Sequence, residues 1–149
     1  LLDRDSESAL AVDRRIPDNA DRLSGALTET WPRLGPQVFF KEADIETVDL
    51  TSGDLVVSAH ACGSLTDQII EKAVAANARL AVLPCCHDAS TCRTLGLEKW
   101  MDVSLAIDAA RVVSLQSAGY RVLAQSIPSE ITPKNRLIIA WPEDSNSQV

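Results

Sequence analysis

Positive charge is what this chain most lacks: 14 Lys and Arg stand against 21 Asp and Glu, for a formal net charge of −7. Binding to nucleic acid rests on cations that neutralise phosphates, so this segment has no electrostatic grip of its own on a polynucleotide; another domain would have to deliver one. No apolar run approaches the length of a membrane span, and the first residues lack the basic-then-apolar pattern of a signal peptide. A cytoplasmic protein with no membrane partner is expected. Histidine is scarce, with only His60 and His87. Internal repeats and low-complexity segments are absent, as is an initiator methionine: the chain opens Leu1-Leu2. A processed or partial sequence is the expectation.

What is present is a core. At 149 residues and 46% apolar composition, the chain is long enough for one ordinary globular domain. The four cysteines, Cys62, Cys85, Cys86 and Cys92, lie together in the central part of the sequence, unlike the dispersed framework of a secreted disulfide scaffold. Reduced thiols are expected.

Along the chain, Ala9-Leu-Ala-Val12 reads as a short strand that ends at Asp13. Pro17-Asp18-Asn19 signals a helix whose Leu23, Leu27 and Trp31 share one face, closed by Pro32 and Gly35-Pro36. A second strand, Gln37 to Phe40, is followed by Asp44-Ile45, and a third runs from Asp54 to Ala59. Ser64-x-x-Asp67 has the form of a capping box, ahead of a helix facing inward with Ile69, Ile70, Ala73 and Val74 and stopping at Asn77. A fourth strand, Arg79 to Leu83, leads to Pro84-Cys85-Cys86-His87 and a long polar loop from Ala89 to Lys99, a length more often functional than idle. A helix is expected over roughly Trp100 to Ala118, with Val103, Ile107, Ala110 and Val113 inward and Gly119 after its end, then strands over Tyr120–Gln125 and Arg136–Trp141. The alternation predicts an α/β fold with a mostly parallel sheet and an antiparallel C-terminal strand pair.

Two of these strands end in chemistry. In an open α/β sheet, ligands bind outside the carboxyl ends of the strands, so His60-Ala-Cys62-Gly63 and Pro84-Cys85-Cys86-His87 point at one crevice. His60, Cys62, Cys85, Cys86, His87 and Cys92 include soft and imidazole ligands, yet H-x-C and C-C-H lack the C-x₂₋₄-C hook of a structural zinc site. No metal is expected, and a Cys/His metal-binding domain stays an alternative. A Cys–His nucleophile pair is a further reading, without a visible orienting residue. The bland reading is that the cysteines are small buried apolar residues and that Thr66 and Asp67 cap their helix. Asp13, at a strand end, suits a ribose diol, and Asp44 an amino group; either is equally at home as a surface acid.

With those residues in view, the chain resembles the class I, S-adenosylmethionine-dependent methyltransferases. It is most similar to the branch with a His-x-Cys-Gly-x-x-Thr-Asp segment (His60 to Asp67), a Pro-Cys-Cys-His segment (Pro84 to His87), a Gly-Tyr (Gly119-Tyr120) and a Thr-Pro-Lys-Asn-Arg close (Thr132 to Arg136). A transfer-RNA 2′-O-methyltransferase group carries a comparable pattern. The resemblance runs from about Ala9 to Trp141 and implies a Rossmann-like, seven-stranded methyltransferase sheet with S-adenosylmethionine as cofactor and RNA or protein as acceptor. It places Asp13 at the donor's ribose, Asp44 and Ile45 at its adenine, and His60, Cys62 and Gly63 beside the reactive methyl. Pro84, Cys85, Cys86 and His87 would wall the acceptor pocket, with His60 or His87 as the base.

The family's first strand and Gly-rich loop, which precede the Asp13 strand and lie mid-sheet between it and the Asp54 strand, have no counterpart here. Residues 1–8 then read as a loop and the remnant of an upstream helix, 9–142 as a partial methyltransferase domain, and 143–149 as a disordered tail. On that expectation the complete protein is the enzyme and this chain alone is inactive; the alternative is a silent Rossmann-like binding module.

Overall fold

The computed structural model describes residues 7–143. The expected helix remnant at Leu1-Leu2 and the polar tail from Asp144 lie outside the described residues. The chain divides into two compact units, one through Asp49 and one from Leu50.

The first unit is a parallel strand pair with its crossover helix. Strand β1 (Ala9–Asp13) pairs with β2 (Val38–Glu42) from Ala9↔Val38 to Asp13↔Glu42, and α1 (Ala20–Thr30) makes the connection that parallel pairing requires. Ala20, Leu34 and Val48 are buried, but the stripe expected from Leu23, Leu27 and Trp31 is not. Leu23 is 53% exposed, and Trp31 ends the helix as its C-cap. A two-stranded sheet offers too little apolar surface to cover a whole helical face.

The second unit holds the larger core. Its sheet has the order β3-β4-β6-β5, built from β3 (Leu55–Ala59), β4 (Arg79–Leu83), β5 (Tyr120–Ser126) and β6 (Arg136–Pro142). The β3–β4 pair is parallel; β4–β6 and β6–β5 are antiparallel. The α/β class and the terminal antiparallel pair are as expected. Among the described residues strand β3 pairs on one side only, as β1 does in its own unit.

Helix α2 (Ser64–Ala75) buries Ile69, Ile70 and Ala73 of its expected face and leaves Val74 half-buried, and Asn77 ends it in the left-handed region at φ 54°. Helix α3 (Val103–Ser117) starts later than expected because Asp102 caps it, accepting from the Ser104 and Leu105 amides at 2.9 and 3.3 Å. The Ser104 hydroxyl, and then the backbone amides, hold the Asp102 carboxyl below the usual carboxylate range. Its inward face is also rotated from the expected one. Ile107 and Ala110 are buried, but Val103 and Val113 are over a third exposed, and Ala106, Leu115, Asp108 and Arg111 take their place. An i,i+3 pair of opposite charge can be buried when each charge has partners, and here both do. Tyr120 closes the core: its hydroxyl lies 3.0 and 3.3 Å from the carbonyls of Ala78 and Ala73, and burial pushes its pKa up.

Candidate functional site

Register builds the site. Because β3 and β4 pair in parallel from Leu55↔Arg79 to Ala59↔Leu83, they finish side by side, and the turns that follow begin side by side. The pairing then continues past the strands: Cys62 bridges Cys86, and the Gly63 amide donates to the Cys86 carbonyl at 3.2 Å. The first turn departs sharply from the strand. His60 sits at φ 69°, rare for a residue with a side chain, and Gly63 at φ 56°, ψ −131°, a region close to glycine's alone.

These turns bring three thiols together. Cys62 Sγ lies 3.3 Å from Cys86 Sγ and 3.6 Å from Cys85 Sγ, and Cys85 and Cys86 are 3.6 Å apart. Cys62 and Cys86 are exposed and Cys85 is half-buried. Hydrogen bonds to Cys86 and then Cys85 push the Cys62 thiol up to about 11. The thiol hydrogen bonds from Cys62 and then Cys85 lower Cys86, so Cys86 ionises before Cys62. Cys92 stands apart, buried, its sulfur 3.8 Å from Arg111 Nη2.

A buried ionic network lies behind the turns. Asp108 accepts from His87 Nε2 at 2.8 Å and Arg111 Nη1 at 3.1 Å on one oxygen, and from Arg136 Nε at 2.7 Å on the other. Arg111, with 3% of its side chain exposed, grips Asp67 with two hydrogen bonds, 2.7 Å from Nε and 3.1 Å from Nη2, and also donates from Nη2 to the Gly63 carbonyl at 3.1 Å. Burial works against the Arg111 charge, but Asp67 and then Asp108 outweigh it and raise its pKa further. The expected capping box is therefore not formed. Gly63 is the N-cap of α2, no side chain caps it, and Asp67 is turned toward Arg111. Thr66 is buried and donates to the Ala61 carbonyl at 2.8 Å, which ties the turn to the helix start.

The two histidines differ. His60 is exposed at the end of β3. The His87 ring is buried, and since a carboxylate only accepts, its Nε2 carries the proton shared with Asp108. Asp108 is thus the orienting residue that no linear motif revealed. Pro84 and His87 border a cavity of about 70 Å³ together with Lys134, Asn135 and Arg136.

In the first unit, Asp13 ends β1, where one oxygen accepts from the Arg15 amide at 3.1 Å. Asp44 begins the short 3₁₀ turn Ile45–Thr47, accepting from Glu46 N at 3.1 Å and Arg14 Nε at 3.0 Å. The sequence-derived residues therefore gather as two sets: Asp13, Asp44 and Ile45 in one unit, and His60, Cys62, Gly63 and Pro84 to His87 in the other. Asp108 and Arg111 escaped sequence reasoning. Their signal is a charged i,i+3 pair set into the apolar stripe of α3.

A family model described as "Methyltransferase domain" matches residues 10–92, which takes in both strand-end turns. The chain belongs to this methyltransferase-domain family. No curated protein matches the chain. The matched part of the methyltransferase domain ends at Cys92, yet its turns are held by Asp108, Arg111 and Arg136 from beyond that point. The family's methyltransferases typically use S-adenosylmethionine.

Gly63→Ala tests the turn. An added Cβ would meet nothing closer than 3.9 Å, so any cost comes from the backbone. Expected is a loss of about 1–3 kcal/mol for holding alanine in that region, read from the urea midpoint. An unchanged midpoint would show that the turn relaxes freely.

Proposed function

We propose that this chain is part of an S-adenosylmethionine-dependent methyltransferase of the His-x-Cys-Gly, Pro-Cys-Cys-His branch, acting on RNA or protein in a cytoplasmic setting. One observation carries the reading: in a chain of this family, the His60–Gly63 and Pro84–His87 turns abut at the carboxyl ends of adjacent parallel strands. The order β3-β4-β6-β5 supports it, as does the separate parallel pair β1-β2. Among the described residues β1 and β3 each keep one unpaired edge, and the resemblance asks for one further strand and its Gly-rich loop.

The residues of the first unit fit the donor in part. Asp13 has an oxygen that accepts no hydrogen bond from the described residues and suits a ribose hydroxyl. Both Asp44 oxygens already accept one bond each, but a carboxylate oxygen has a second lone pair for an adenine amino group, with Ile45 beside it. When bound, S-adenosylmethionine supplies an electrophilic methyl group on a sulfonium. The chain's own part is to align the acceptor and take its proton. In the second unit we assign the proton to His60, an exposed residue in the same turn as Cys62 and Gly63. His87, fixed by Asp108, positions the Pro84–Cys86 wall.

Calorimetric titration with S-adenosylmethionine tests this. A chain extended upstream to include the strand and loop is expected to bind the donor with micromolar affinity and to transfer its methyl group, and the 149-residue chain to bind more weakly. Equal micromolar binding by both would overturn the need for the loop. Absence of binding by both would leave a silent module of the same fold.

A further inference from the structure

The thiol triangle goes beyond that function. Linear spacing argued against a metal because neither H-x-C nor C-C-H presents two thiolates to one ion. Tertiary structure changes the donor set: Cys62 crosses from the neighbouring turn to complete the pair Cys85-Cys86, with sulfur separations of 3.3, 3.6 and 3.6 Å. Cys62, Cys85 and Cys86 are grouped with all ligand atoms within 4.8 Å of one another. His60 is not in that group, and Cys92 lies in the core against Arg111.

We propose that Cys62, Cys85 and Cys86 form a three-thiolate site for a soft divalent ion of the zinc class, with its fourth position open to solvent. The geometry is close to what such an ion needs. A tetrahedral ion with metal–sulfur bonds of about 2.3 Å sets its sulfurs about 3.8 Å apart, so the triangle need open by only a few tenths of an ångström. On binding, three S–H bonds break, three metal–sulfur bonds form, and three protons pass to the buffer, leaving a site of net charge −1.

The scaffold is suited to hold the ligands in place. The Cys62↔Cys86 bridge and the Gly63 amide on the Cys86 carbonyl fix the two turns to each other, and Arg111 holds the Gly63 carbonyl from behind. Such support orients ligands without touching the ion. Among the described residues no fourth Cys, His, Asp or Glu joins the three thiols, and Cys62 and Cys86 are exposed, which distinguishes the site from a closed structural zinc site. A disulfide is the competing use of the same atoms, and it would take two sulfurs and strand the third.

The experiment is anaerobic titration of the reduced chain with cobalt(II) alone, followed by thiolate-to-cobalt charge-transfer absorption and independent of any methyl transfer. One equivalent of cobalt is expected to saturate the band, and zinc to displace it. Cys62→Ser and Cys86→Ser should each weaken uptake by about tenfold or more, since even supporting groups cost that much; Cys92→Ser should leave it unchanged. Far-UV circular dichroism of every variant separates ligand loss from unfolding. A folded chain that develops no band, a band undiminished when all three clustered cysteines are serine, or, in a separate assay with oxidised glutathione as the oxidant, a Cys62–Cys86 disulfide that forms as readily with zinc as without it would each overturn the proposal.

Discussion

Asp108→Ala is expected to cost about 3–5 kcal/mol of folding stability, the range for breaking a buried ion pair from one side. The carboxylate is 6% exposed and accepts from His87, Arg111 and Arg136. Its removal leaves Arg111 with Asp67 alone to balance a buried charge, and leaves the His87 N–H with no acceptor. Asp108→Asn should lose less, because an amide oxygen still accepts. The measurement is urea unfolding by circular dichroism. A loss below about 1 kcal/mol, the scale of an exposed pair, would show that the network is solvated. The same variant should loosen both strand-end turns, since Arg111 reaches Gly63 and Asp108 reaches His87. That is the link from core electrostatics to the site.

The second large effect separates the histidines. His60→Asn, in a form of the protein that transfers methyl groups, is expected to lower kcat by about 10²–10⁴-fold, the usual worth of a positioned general base. Stability should hardly move. The ring is exposed, and asparagine tolerates the left-handed backbone that His60 occupies at φ 69°. His87→Ala should do the reverse: the unfolding midpoint falls because Asp108 loses a buried partner, and transfer falls only as far as the Pro84–Cys86 turn loosens. If His87→Ala abolishes transfer at unchanged stability while His60→Asn transfers normally, the assignment is inverted.

Much of the fold could be read directly. Apolar runs and helical spacing placed the six strands and three α-helices of the described residues, and Gly119 and Asn77 ended their helices where positive φ was required. Around the site, errors came where charge was buried. Asp67 looks like a capping acid, and Asp108 and Arg111 like solvated residues of α3, because a pattern reading assigns charges to the outer face unless a partner is visible. The partners lie 44 residues apart for Arg111 and Asp67, and 28 for Asp108 and Arg136. No local window contains them.

The sequence by itself determined the α/β class, the two Cys- and His-bearing strand ends and the chemistry of the residues there. Those are properties of short stretches, set by periodicity and side-chain type. Only the tertiary structure decided which of those residues meet. Parallel register brought Cys62 to Cys85 and Cys86 across 23 and 24 residues, left His60 and Cys92 out of the thiol cluster, and turned His87 inward onto Asp108. The reason is physical: a site is a set of distances, and distances between strands follow from pairing and burial, which linear spacing does not encode.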